Sequence, residues 1–177
     1  MRSQLRSHLR IFADMNRNLT MDVLYNADSQ YVLNLILPIQ QIEFNVPVTL
    51  KGQPDLLAIE TYYHQTGGNF WGARWEGELI GTIALIATGH QAGAIRKMFV
   101  KKEFRGKELG VAQRLLDTLL AYCQEKGIFE LNLGTVDMLK AAHRFYERNH
   151  FVRKQSEDMP SYFPRMMGEN VYYHLQL

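Results

Sequence analysis

The sequence predicts a mixed α/β (α+β) fold, with a mostly antiparallel central sheet of about six to seven strands flanked by about four helices. Three observations carry this expectation. Helical stretches come first, three β-rich segments then follow one another with short turns between them, and the tail alternates strand and helix. The 177 residues are 46% hydrophobic and 21% charged, the profile of one globular domain. A chain of this size buries roughly 70% of its unfolded surface without a disulfide or metal staple. No repeat, low-complexity tract or Pro/Gly/Ser linker divides residues 21–177, which read as a single domain. Residues 1–20 read as an N-terminal extension, expected to be poorly ordered.

Taken in order, Asp22 to Tyr25 reads as a short strand. Asp28 or Ser29 can cap a helix whose Val32, Leu33, Leu35, Ile36, Ile39 and Ile42 recur at helical spacing, with a kink at Pro38. Pro54 suits the first turn of a second helix carrying Leu56, Leu57, Ile59, Tyr62 and Tyr63, which Gly67-Gly68 stops. Residues 69–75, 79–88 and 92–100 are rich in aromatic and β-branched side chains and predict three strands, the first two joined through Glu76-Gly77-Glu78. The run Leu79 to Ile86 is apolar on both faces, as a strand covered on both sides would be. A basic loop, Lys101 to Lys107, leads into a long helix with Leu109, Ala112, Leu115, Leu116, Leu119 and Cys123 as its stripe and Gly127 as its stop. Residues 128–133 return as a strand, Asp137 caps a helix running to about Asn149, and residues 151–154 and 171–177 are the last strands.

Composition excludes several classes. Cys123 is the single cysteine, which rules out an internal disulfide framework and suits the reducing cytoplasm. The net charge is +2, but Arg2, Arg6, Arg10 and Arg17 against Asp14 put +3 into the first twenty residues and leave −1 for the rest. That near-neutral body does not support a nucleic-acid partner. No apolar run is long enough to span a membrane. The sequence has no GxxxxGK(S/T), GxSxG or HExxH motif, and the six histidines show no metal-ligand spacing, so no metal is expected.

The chemistry concentrates between Arg96 and Ala112. Six basic residues and one acid fall between Arg96 and Lys107, where a strand passes through a loop into a helix N-terminus whose first N–H groups lack internal partners. Gly106 and Gly110 would let backbone approach an anion closely. Ile95 to Val100 (IRKMFV) followed by Phe104 to Ala112 (FRGKELGVA) resembles the GNAT superfamily of acetyl-CoA-dependent N-acetyltransferases, in which a strand leads into an R/Q-x-x-G-x-G/A loop. A second block, Ala141 to Phe151 (AAHRFYERNHF), is similar to that family's Tyr-bearing helix and turn.

The resemblance implies acetyl-CoA as co-substrate and a primary amine, most simply on a small molecule, as acceptor. It implies that Met98, Phe99 and Val100 bond the pantetheine arm as an added strand would. Arg105, Gly106, Lys107, Glu108, Leu109, Gly110 and Val111 would surround the pyrophosphate. Tyr146 would protonate the CoA thiolate, an acid needing no tuning at a reference pKa near 10. Two acids fall in segments that line the family's acceptor groove, Glu43 and Glu60, and Glu43 is the favoured proton acceptor. His143 lies three residues before Tyr146. Tyr62, Tyr63, Phe70, Trp71, Tyr162 and Phe163 could form an aromatic acceptor cleft. Homodimers are frequent in the family. Two positions depart from its pattern, Glu108 and His150, each standing where glycine is usual. They leave an inactive acetyl-CoA-binding sensor as the alternative.

Overall fold

The computed structural model describes residues 18–177. Its sheet has seven strands in the order β1-β2-β3-β4-β5-β7-β6. Strands β1 (Leu19–Val23), β2 (Asn69–Trp75), β3 (Glu78–Gly89) and β4 (Ala92–Val100) form an antiparallel meander. The β2–β3 turn is tight because Glu76 and Gly77 both take positive φ, 50° and 85°, which matches the twist of the flanking strands. Strand β1 starts at Leu19, which is 4% exposed and pairs with Trp75, so the folded body reaches into the expected extension. Expectations on residues 1–17 lie outside the described residues.

Strand β5 (Glu130–Thr135) runs parallel to β4, and helix α2 (Val111–Lys126) makes the crossover. β7 (Val171–Gln176) pairs antiparallel with β5, and the short β6 (Val152–Lys154) closes the far edge. One face is packed by α2 and α3 (Lys140–Arg148). There Leu115, Leu116, Leu119 and Cys123 join Ile80, Ile83, Leu85, Ile95, Leu131 and Leu133. The other face is packed by α1 (Ser29–Pro38) and the segment after it, with Val32, Ile36, Leu56, Ile59 and Tyr63 against Phe70, Leu79 and Ala84. β3 is therefore sandwiched, as its unbroken apolar run predicts. Each fully buried aliphatic contributes about 1.5–3 kcal/mol.

The helices on the second face are less regular than expected. Pro38 cannot donate the next helical hydrogen bond, and the chain widens there into a π turn, Ile39–Glu43, closed by Phe44 N–H donating to the Ile39 carbonyl. The expected helix after Pro54 is broken into a 3₁₀ turn, Pro54–Leu56, and a π turn, Glu60–His64. A tertiary exchange accounts for the break. Glu60 N–H donates to Asn26 Oδ1 while Asn26 N–H donates to Glu60 Oε2, both at 3.1 Å, so Glu60 starts a turn instead of continuing one. On the first face, α2 stops at Gly127 (φ 68°) as expected, but Leu139 takes the N-cap position of α3 and Asp137 pairs with Lys140.

Candidate active site

Two irregularities of β4 shape the site. β4 and β5 pair through only three residues, Ala92 to Ala94 against Glu130 to Asn132, and then part. From Ile95 onward the β5-facing edge of β4 has no strand beside it. The second irregularity is a bulge opposite β3, with Lys97 at φ 51°. Ile95, Met98 and Val100 face the α2 side, Phe99 faces the α1 side, and the extra residue places both Arg96 and Lys97 on the α1 side. A non-glycine residue at positive φ in a strand carries about 1–3 kcal/mol of strain, which its surroundings must hold. Thr82 Oγ1 donates to the Lys97 carbonyl at 2.7 Å, and the Lys97 ammonium lies between Gln53 Oε1 (2.8 Å) and Asp55 (3.1 Å). Tyr63 donates to the same Asp55 at 2.6 Å, and burial pushes the Tyr63 hydroxyl pKa well up and the Lys97 ammonium pKa down.

Met98, Phe99 and Val100 lie on the unpaired edge of β4, and the loop that follows places the other expected cofactor residues together. Gly106 (φ 115°) and Gly110 (φ 64°) are both left-handed, and they fold residues 106–110 around the start of α2. Gly110 N–H is spent on the Gly106 carbonyl, while the N–H groups of the first turn of α2 have no acceptor within the helix. Glu108 is exposed. The basic patch expected from the sequence is smaller in space. Arg96 and Lys97 point inward, Lys101 pairs with Glu78, and Arg105 is occupied by Glu43, which leaves Lys102 and Lys107 as the exposed lysines of the loop.

Arg105 donates through Nε to the Val100 carbonyl (2.7 Å) and grips Glu43 with both terminal nitrogens, one at 2.8 Å. That hydrogen bond from Arg105 holds the Glu43 carboxyl below its ordinary 4.5, against some desolvation. A carboxylate so held is a weak proton acceptor. Glu43 ties the end of the π turn to the cofactor loop. Glu60 is engaged with Asn26 instead.

Tyr146 lies on α3 at 5% exposure, its ring 5.4 Å from Phe151 and 5.8 Å from Tyr173. Burial alone raises its hydroxyl pKa, and no side-chain hydrogen bond contributes among the described residues. The turn after it is fully formed. Phe151 N–H donates to the Tyr146 carbonyl and His150 N–H to the Glu147 carbonyl, with His150 at φ 66°. This is the Schellman closure, in which glycine usually supplies the left-handed residue. His143 is buried and bonds Tyr173 Oη (3.0 Å) and the Val136 carbonyl (3.2 Å), a bracing position.

The expected aromatic cleft does not assemble. Phe70 and Trp71 are neighbours on a strand and face opposite sides, Tyr63 packs on Phe70 at 5.0 Å, and Trp71 on Tyr122 at 5.2 Å. Tyr162 stacks on His90 and donates to Glu130. Sequence reasoning also missed Glu169, in the segment before β7, whose carboxylate meets Arg96 at 2.6 Å. Gly134 makes room for it. A Cβ at that position would fall 2.3 Å from the Glu169 carboxylate. No spacing pattern marks Glu169 in the sequence.

The sequence model of the Acetyltransferase (GNAT) family matches residues 33–151. The N-acetylaspartate synthetase of Danio rerio is 33% identical over 101 residues, 56% of this chain and 35% of that protein. A probable N-acetyltransferase, camello, of Xenopus tropicalis is 24% identical over 123 residues, 68% of this chain and 55% of that protein. The chain therefore spans about a third to a half of the curated relatives it matches. An acetyltransferase of the GNAT family from Staphylococcus aureus MU50 superposes with a TM-score of 0.85 at 33% identity, covering 89% of this chain and 98% of that one. The PaiA N-acetyltransferase of Thermoplasma acidophilum, solved in complex with coenzyme A, superposes at 0.70 with 16% identity, covering 90% and 99%.

Proposed function

The chain belongs to the Acetyltransferase (GNAT) family, and we propose that it transfers acetyl from acetyl-CoA to a primary amine on a small molecule by direct attack on the thioester. The observation that carries this is the open edge of β4 leading straight into the loop at the start of α2. The residues present fit the co-substrate on two counts. From Ile95 to Val100 the β4 edge lacks a strand partner, which suits the amide-bearing pantetheine arm. Beyond it, the left-handed Gly106 and Gly110 and the α2 N-terminus present backbone N–H groups and positive potential to a pyrophosphate. Gly106, Lys107, Glu108, Leu109, Gly110 and Val111 make that cradle, Glu108 through its backbone. Arg105 acts on it from outside, by holding the loop to Glu43.

When bound, acetyl-CoA supplies the activated acyl group. Tyr146 then donates its phenolic proton to the departing thiolate. Its raised pKa keeps that proton on the ring at neutral pH, and no side-chain hydrogen bond commits its hydroxyl among the described residues. The Schellman turn retains its hydrogen bonds with His150 in place, so the departure there does not disturb the Tyr146 carbonyl. This favours an enzyme over an inactive sensor. The buried thiol of Cys123, pushed up to about 12, is inert and suits a reducing cytoplasm. No helix among the described residues is long and apolar enough to cross a membrane.

The test is a thermal-shift titration with acetyl-CoA and CoA, using ATP and NAD as polyanion controls, followed by thiol release with amines. At a hundredfold excess over Kd a specific ligand stabilises by about 2.7 kcal/mol, or roughly 5–11 °C for this chain length. A shift confined to acetyl-CoA and CoA is expected. Equal shifts with all four, or none, would overturn the placement.

A further inference from the structure

We propose that Lys97 is a positioning residue, which locks the β4 bulge in the phase that sets the open edge from Met98 to Val100 beside Tyr146. This rests on the acetyltransferase reading and deepens it. The argument begins with what the bulge decides. Ile95 and Arg96 face opposite sides of the sheet, and simple alternation would then put Lys97 on the α2 side and Met98 on the α1 side. The extra residue reverses that order. Lys97 turns to the α1 side, and Met98 and Val100 join the cluster that holds Tyr146. The bulge thus chooses which residues of the cofactor edge share a face with the acid.

The second step is why a lysine stands at the strained point. At φ 51° glycine or asparagine fits more readily, so the backbone alone does not call for lysine. Its ammonium does. With its side chain 4% exposed, Lys97 reaches Asp55 at 3.1 Å and Gln53 Oε1 at 2.8 Å, both in the segment that covers the α1 face. Returning Lys97 to the α2 side would leave Asp55 without its cation and put an ammonium into the apolar cluster under α2. The ion pair is therefore a lock on the phase of the strand, and the Thr82 hydroxyl closes on the Lys97 carbonyl from β3.

The third step is that the edge is braced at both ends from one turn. Gln53 exchanges side-chain hydrogen bonds with Gln40, at 2.9 and 3.2 Å, and Gln40 lies in the π turn Ile39–Glu43. Glu43, at the end of that turn, grips Arg105, whose Nε donates to the Val100 carbonyl. One path reaches β4 at Lys97 and the other at Val100, so Met98 and Phe99 are held between two anchors. The phosphates have a separate cradle at the α2 N-terminus. A displaced edge therefore shows in turnover, where misplacement by about 1 Å costs on the order of a hundredfold, and hardly in CoA affinity.

The test joins Lys97→Gly and Asp55→Asn in one chain. Glycine suits the positive φ, and asparagine removes the carboxylate that would lose its cation while keeping an oxygen for the Tyr63 hydroxyl. This variant should fold with a Tm near the native one, so a loss of rate is not a loss of structure. Thr82→Val, which keeps the size of the side chain and removes the bond to the Lys97 carbonyl, is a milder second variant. The acceptor is whichever of ethylamine, phenethylamine, spermidine and glycinamide the native chain turns over fastest. CoA affinity by calorimetry should stay within about threefold in both variants, while kcat at saturating acetyl-CoA falls about 10–100-fold in the double variant and about 3–10-fold in Thr82→Val. Amide exchange needs no acceptor, and it should quicken along Ile95 to Val100 while α2 exchanges as in the native chain. Unchanged exchange along that edge in the folded variants, an unchanged kcat, or a kcat loss matched by an equal loss of CoA affinity would overturn the inference and leave the acetyltransferase reading standing. A native chain that does not bind CoA would instead sink the reading beneath it.

Discussion

Replacing His150 by glycine should stabilise the protein without touching its chemistry. His150 sits at φ 66° as the left-handed residue of the α3 closure, and its side chain is exposed. A left-handed conformation costs an L-residue about 1–2 kcal/mol, and glycine avoids that cost. Glycine returns roughly 0.5–1 kcal/mol of it through the greater freedom of its unfolded chain. The net gain is about 0.5–1 kcal/mol, which at this length is a rise of roughly 1–4 °C in Tm. Two further variants make the reasoning harder to satisfy by accident. His150→Asn should fall between histidine and glycine, because asparagine visits this region readily, and His150→Val should lose stability, because branching at Cβ is least tolerated there. Circular-dichroism melts of the four proteins suffice. A glycine variant that melts lower than the native chain, or a valine variant that melts higher, would show that His150 is held by something other than its backbone.

Four shorter predictions concern the site and its frame. Tyr146→Phe should lower kcat by about a hundredfold or more, leave CoA affinity within about twofold, and shift Tm little, since the hydroxyl takes no side-chain hydrogen bond among the described residues. Gly110→Asp should weaken CoA binding at least tenfold by isothermal titration with a small change in Tm, because aspartate tolerates the φ of 64° while its charge faces the phosphates. Gly68→Ala should cost at least about 3 kcal/mol, since its Cβ would fall 1.8 Å from the Leu85 carbonyl oxygen and backbone cannot step aside, whereas Gly52→Ala should be tolerated. The hydrogen bond from Arg105 depresses the Glu43 carboxyl, so its stabilisation is complete above the ordinary 4.5 and is lost as pH falls through the lower folded value. Urea denaturation should therefore show the native chain losing ground to Glu43→Gln only below that pH, by under about 1 kcal/mol for so open a pair.

Strands β2, β3 and β4 were legible to within a residue at either end because alternation and β-branching are local properties, whereas β1 starts three residues before the expected Asp22 and ends two before the expected Tyr25. The π turn after Pro38 was half legible. The missing N–H predicts an interruption, but the form it takes depends on Phe44 finding the Ile39 carbonyl. The break at Glu60 was not legible, since it depends on Asn26, thirty-four residues away. In the site, the glycines and Tyr146 stand out by type and position. Arg96 and Lys97 mislead, because in sequence they extend a basic loop. Only the bulge, a pairing event between β3 and β4, turns both inward to meet Glu169 and Asp55. A carboxylate seventy-three residues from its arginine leaves no local trace.

The parting of β4 from β5 also bears on how the molecule carries load. The sheet is two half-sheets joined along a seam of three residue pairs, and the seam lies at one end, a short spine between them. A pantetheine chain laid along the open edge would lengthen that spine. The bound molecule is then a structural member as well as a reactant. The edge should gain protection on loading and lose it when the spent cofactor leaves, which amide exchange along Ile95 to Val100 would read in the bound and free protein.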